Sequence, residues 1–262
     1  MQPQNAVARL KVVVGHIGDT WVHAIHRQEY FHSMTRNEEL AQALRDTYAA
    51  HVHNAVTDMF VMDLIREIGA IVLDQNPNSA SVAVANQLLS DAAVVDELKK
   101  DCQITIPAQW INPSSGLDEK MRQTVTEDLR RQDIEDNVKA FEGQLADLPQ
   151  IMQPVLDSDI GRMIRKARNK SVAHYDVVRT GGDWKLWQIE GITFGDLDRY
   201  FDTCTAGVEA LARLVRGQAF QFPETRNVAR DYASDYIDAL VEGLRSKRNK
   251  TLTAGRSHSQ QI

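Results

Sequence analysis

Seven prolines, at 3, 77, 107, 113, 149, 154 and 223, leave most of this 262-residue chain in long proline-free stretches. Within those stretches apolar residues recur every three or four positions. Proline removes a backbone donor and breaks helix interiors, so its spacing bounds where helices can run. Glycine (14) and proline (7) together supply about 8% of the chain, against an average near 12%. The pattern predicts an all-α chain, mostly an antiparallel helical bundle.

Leu40, Leu44, Tyr48, Ala55, Met59 and Met62 share one face of a helix expected from Arg36 to Leu73. Asp74-Gln75-Asn76-Pro77-Asn78 stops it. Ser79 or Ser81 then caps a second helix carrying Val84, Leu88, Ala92 and Val95. Pro107, Pro113 and Gly116 mark a connecting loop. Asp118 opens a long helix, with Met121, Val125, Leu129, Val138, Phe141, Leu145 and Leu148 expected inward. Pro149 and Pro154 are expected to turn the chain before a helix lined by Leu156, Ile160, Ile164 and Ala167. Gly161 inside that helix costs roughly 1 kcal/mol relative to Ala, which points to close packing against a neighbour.

Short extended runs on either side of Gly181-Gly182 predict a small β-hairpin insertion near 176–189. Thr193 or Gly195 then heads a strong helix with Leu197, Phe201, Cys204, Val208, Leu211 and Val215, stopped near Gly217. A last helix is expected from about Pro223 to Arg245. The whole reads as one helical domain over 1–245, with N-terminal helices in 1–110 and a second part at about 118–245. The polar run 246–262 is expected to be disordered.

No apolar run approaches the ~18 residues a membrane span needs, and the start has no basic leader, so neither membrane insertion nor secretion is expected. Two cysteines, Cys102 and Cys204, far apart and outside any CxxC, fit a reducing cytoplasm. Familiar phosphate-loop, dinucleotide, nucleophile-elbow and HExxH signatures are absent. The net charge of −6 argues against general nucleic-acid binding, but the charge is uneven. Residues 118–147 carry a net −4 and residues 241–262 a net +4. Residues 161–180 carry a net +5, from Arg162, Arg165, Lys166, Arg168, Lys170 and Arg179 against Asp176. A compact basic segment suits an anionic ligand such as RNA or phosphate; the plainer reading is cations offsetting a helix C-terminus.

Within that segment stands Arg168-Asn169-Lys170-Ser171-Val172-Ala173-His174. An arginine with a histidine a few residues on is common in this chain; Arg9–His16, Arg27–His32 and Arg45–His51 share the spacing. Only Arg168 is followed directly by Asn, and only this pair lies in the most basic segment near a helix end. The run RNKSVAHYD resembles the HEPN superfamily in its abortive-infection and toxin-like branches. Its signature is Arg, a polar residue and a short spacer closing on His. The likeness is best from about Leu156 to Gly217. Tyr175 follows His174 directly, unlike the His-to-Tyr spacing of toxins paired with a nucleotidyltransferase antitoxin.

That resemblance implies a metal-independent endoribonuclease, a toxin or phage-defence component with a possible antitoxin or defence partner and no cofactor. His174 would serve as acid or base and Arg168 as phosphate ligand, with Asn169 supporting and Lys170, Tyr175 and Arg165 nearby. An imidazole near pKa 6.5 can exchange a proton with a ribose 2′-hydroxyl at neutral pH, and a guanidinium can hold the phosphate charge. In an unbroken helix, six steps of ~100° set the two side chains ~120° apart, so they converge only if the helix end unwinds or two chains each supply a set. The resemblance implies the second: a homodimer whose Arg–His sets share one cleft.

Two other function classes fit. One is a non-catalytic HEPN-like helical module that binds RNA, a nucleotide or a protein partner. The other is a dimerisation domain. Under the structural alternative, Arg168 and Lys170 cap helix carbonyls and His174 is an ordinary histidine. Asp19, His23 and His26 share a helix face, with His51 and His53 nearby, but no complete metal motif joins them, so no metal is expected. Trp184 and Trp187 could stack bases but more commonly anchor a hairpin. Arg245, Lys247, Arg248 and Lys250 could steer RNA or simply be solvated.

Overall fold

Short polar side chains that accept the first free N–H groups set several helix starts. The computed structural model describes residues 2–101, 118–169, 177–180, 183–186 and 191–258, with backbone alone at Glu119, in the strands and from 248 onward. Among these residues the secondary structure is helical apart from two four-residue strands, and the chain is all-α.

Ser81 caps α4 (Val82–Leu89), its Oγ accepting from the Val84 N–H at 3.2 Å. Asp118 caps α6 (Glu119–Leu156) by accepting from the Met121 N–H at 2.8 Å. Thr193 and Asp196 cap α8 (Phe194–Arg216) reciprocally. The Thr193 hydroxyl oxygen accepts from the Asp196 N–H at 3.1 Å, and the Asp196 carboxylate accepts from the Thr193 N–H at 3.1 Å. Gly217, at φ 64°, closes α8 in the left-handed conformation that a side chain would oppose.

Several helix boundaries differ from the sequence reading. After α1 (Pro3–Arg36), the single helix expected from Arg36 to Leu73 is two, α2 (Glu38–Leu44) and α3 (Ala49–Ile71). Between them Asp46 takes φ 62°, a left-handed step that a short polar side chain tolerates. The Thr47 hydroxyl at 2.7 Å and the Thr47 N–H at 3.1 Å both donate to the Leu44 carbonyl at the end of α2. The next expected helix also divides, into α4 and α5 (Ala92–Asp101), where Asp91 accepts from the Ala93 N–H at 2.9 Å.

Pro149 and Pro154 lie inside α6 rather than ending it. Both are exposed, so the carbonyls of Leu145 and Gln150, which lose their donors, can turn to water. Met121, Val125 and Leu129, expected inward, are 55%, 38% and 46% exposed, whereas Phe141, Leu148, Met152 and Val155 are buried. Sixteen steps of ~100° set Val125 roughly 160° from Phe141, so the expected stripe mixes two faces. After α7 (Asp159–Ala167) and α8, α9 (Phe222–His258) continues past Arg245, so the run expected to be disordered is helical to His258. Extending an existing helix is far easier than nucleating one and needs no apolar stripe.

The chain divides into two compact units, and both draw on residues either side of the 102–117 segment, which with Cys102 lies outside the described residues. Unit 1 comprises residues 1–18, 70–163 and 191–220. There α8 packs on α6 and on α4, and its Leu197, Phe201, Cys204, Val208, Leu211 and Val215 are all buried, as the sequence stripe predicts. Gly207 lets α6 approach closely: a β-carbon there would stand 3.0 Å from Val155. The Tyr200 hydroxyl donates to the Val155 carbonyl. Gly161 packs beneath Tyr200, the close neighbour that a glycine inside a helix suggests.

Unit 2 comprises residues 19–69, 164–190 and 221–262. Met34, Leu40, Leu44, Ile237 and Val241 form a buried cluster that joins α2 to α9, with Phe60 of α3 packed against it. The strands β1 (Val177–Thr180) and β2 (Asp183–Leu186) pair antiparallel, Val177 opposite Leu186. The rest of 170–190 lies outside the described residues, so the insertion expected near 176–189 is described in these strands alone.

Candidate functional site

Helix α7 carries the first part of the basic segment, Arg162, Arg165 and Lys166. Ser158 starts it by accepting from the Gly161 N–H at 3.1 Å, and Asp159 occupies its first turn. Arg165 and Lys166 occupy the last turn, where cations favour the carbonyl end of the helix dipole. Gly161, Ile164 and Ala167 are buried, while Arg162 and Lys166 are exposed. That division makes α7 sharply two-faced.

The cations differ in how they are held. Arg162 pairs with Asp159 and donates from Nη1 to the Asp157 carbonyl at 2.9 Å, so it is engaged at its own helix start. Arg165 is half-buried, and among the described residues its buried Nε has no hydrogen-bond partner. A buried donor in that state is costly, about 1–3 kcal/mol.

The α-helical geometry ends at Ala167. Arg168 and Asn169 form a π turn, a widened turn that recurs at functional sites. The regular ~100° step therefore does not hold at Arg168 and Asn169. Arg168 is half-buried and donates from Nη1 to the Gly69 carbonyl at 3.2 Å. Gly69 is among the last four residues of α3, whose carbonyls have no intrahelical donor. Arg168 thus caps a helix carbonyl, the role the structural alternative assigns it. Asn169 is exposed.

Of the expected site residues, the structure brings Arg165, Arg168 and Asn169 together within about one turn. Lys170, His174 and Tyr175 lie outside the described residues, as does Trp187. Arg245, weighed as an RNA-steering cation, is paired with Glu39 at 2.9 Å. Among the described residues no group of three or more His, Cys, Asp or Glu side chains could hold a metal, so Asp19, His23, His26, His51 and His53 form no such set. No described helix is long and apolar enough to cross a membrane.

The residue missed at sequence level is Gly69. A glycine inside an apolar helical pattern is a signal of close approach, but the sequence does not say what approaches.

Among known families, the chain matches the model HEPN_AbiU2, described as AbiU2, over residues 15–236. That span includes the whole Arg168–His174 run. No curated protein and no solved structure matches the chain.

Proposed function

The chain belongs to the HEPN_AbiU2 family, and from that membership we propose that it is a metal-independent endoribonuclease of an abortive-infection system acting in the cytoplasm. The observation that carries the reading is the family span itself, which contains the Arg168-Asn169-x4-His174 run within the basic segment 161–180.

In this reading the imidazole of His174 takes the proton from a ribose 2′-hydroxyl. The 2′-oxygen bonds to the adjacent phosphorus and the bond to the 5′-oxygen breaks, leaving a cyclic phosphate end. His174 of the partner subunit in a homodimer protonates the departing 5′-oxygen. Arg168 holds the non-bridging oxygens, whose charge grows in the transition state. Asn169 supports the pair, and Lys170, Arg165 and Tyr175 are the residues assigned around it. DNA lacks the 2′-hydroxyl and is not a substrate.

Incubation of wild type and His174→Ala with RNA in excess chelator tests this. The expected result is cyclic-phosphate products from wild type alone, with fold and dimer unchanged in the variant. Equal cleavage by the variant sinks the assignment.

The Arg168–Gly69 hydrogen bond favours a second reading, a non-catalytic helical module in which Arg168 is a structural cap. RNA binding that weakens with salt, without cleavage, is its signature.

A further inference from the structure

The Arg168 side chain lies where α3 has no side chain to oppose it. A β-carbon on Gly69 would stand 2.7 Å from Arg168 Cδ, 3.2 Å from its Cβ and 3.3 Å from its Cγ. These atoms are the root and middle of the side chain, not its free end. They cannot step aside without a rotamer change that carries the guanidinium with them. The same glycine also supplies the acceptor, since Arg168 Nη1 donates to its carbonyl at 3.2 Å. That carbonyl lies at the negative end of α3, where a cation is favoured. One residue therefore meets both the stem and the head of Arg168.

Glycine is about 1 kcal/mol poorer than alanine inside a helix, so Ala would be preferred here if nothing opposed it. What opposes it is Arg168. At the π turn formed by Arg168 and Asn169 the Arg168 stem rests against α3.

We propose that Gly69 is a positioning residue for Arg168: its missing side chain and its carbonyl together set where the guanidinium is presented to the RNA phosphate. The inference rests on the reading of Arg168 as phosphate ligand. Gly69 itself touches no substrate. Misplacing a transition-state ligand by about 1 Å costs on the order of 10²-fold in rate. The loss falls on kcat rather than KM where the contact strengthens in the transition state.

Four proteins test it: wild type, Gly69→Ala, Arg168→Gly, and the double variant, each assayed for RNA cleavage with and without millimolar free guanidinium. Gly69→Ala is expected to lower kcat at least tenfold with KM nearly unchanged. Arg168→Gly is expected to lose cleavage and regain part of it with guanidinium. The double variant should be rescued equally, because the stem that collides with the new methyl is gone. Its melting temperature, compared with that of Gly69→Ala, separates misplacement from misfolding. Wild-type kcat in Gly69→Ala overturns the proposal, as does a tenfold poorer rescue of the double variant. Wild-type kcat in Arg168→Gly overturns the ribonuclease role of Arg168 itself, and this proposal with it.

Discussion

The Glu29 carboxylate accepts from Arg230 Nε at 3.2 Å and lies 3.4 Å from Arg226 Nε, tying α1 to α9 across about two hundred residues of sequence. The Glu29 side chain is only 5% exposed, against 29% and 58% for the two arginines. Arg226 also donates to the buried Gln28 at 3.2 Å. Breaking a fully buried pair costs 3–5 kcal/mol, and solvent at the arginines reduces that here. Glu29→Ala is expected to lower the urea-unfolding free energy by about 2 kcal/mol. A loss under about 0.5 kcal/mol would mean that the pair acts as an ordinary surface bridge.

Gly161 and Tyr200 make a second close contact. A β-carbon at Gly161 would meet the Tyr200 hydroxyl at 2.8 Å and Ser158 Oγ at 3.2 Å. In an unopposed helix Gly→Ala stabilises by about 1 kcal/mol; here Gly161→Ala is expected to destabilise. Tyr200→Phe removes the hydroxyl and its bond to the Val155 carbonyl. The double variant should therefore be less unstable than the two single costs added together, measured by a thermal-unfolding cycle. Simple additivity would show that the two sites do not touch in solution.

The Thr193–Asp196 cap carries a pH dependence. Hydrogen bonds from the Thr193 side chain and backbone, aided by Arg199, hold the Asp196 carboxyl below its usual range. A depressed folded pKa stabilises the protein above the ordinary Asp pKa of ~3.9, and that stability is lost as pH falls through the lower folded value. Asp196→Asn should thus be less stable than wild type at neutral pH, with the gap closing in strong acid. A gap that is unchanged at low pH would contradict the cap.

Cys204 is fully buried on α8, and burial pushes its thiol well above its usual range, only partly offset by its interaction with the Tyr200 side chain. The thiolate is the reactive form, so native protein should resist alkylation at Cys204 and denatured protein should not. Peptide-level mass spectrometry after iodoacetamide treatment reads this directly. Rapid native labelling would show that α8 opens easily.

How far the fold could be read varied with how local its cause was. The α8 stripe, its Thr193 start and its Gly217 stop were legible because each depends on residues within one helical turn. The Ser81 and Asp118 caps were legible for the same reason. The prolines of α6 misled, because both are exposed and the carbonyls they free can turn to water, which lowers the cost of keeping a proline inside a helix. The Met121–Leu129 stripe misled because a long helix can present apolar residues on two faces, and periodicity alone does not name the core. The left-handed step at Asp46 left no mark stronger than an aspartate in a helical pattern.

For the candidate site, local sequence marked a basic, polar run ending in histidine, and its resemblance to the HEPN superfamily agrees with the family match over 15–236. Residue chemistry and short-range spacing determined this much: helices, caps and the concentration of charge at 161–180. Only the tertiary structure decided that Arg168 lies on α3, with its stem against Gly69 and its N–H on the Gly69 carbonyl. The two residues are 99 positions apart, and nothing in the local pattern of either names the other. Propensity and periodicity act over a few residues, whereas the contact that orients a side chain forms only once distant helices pack.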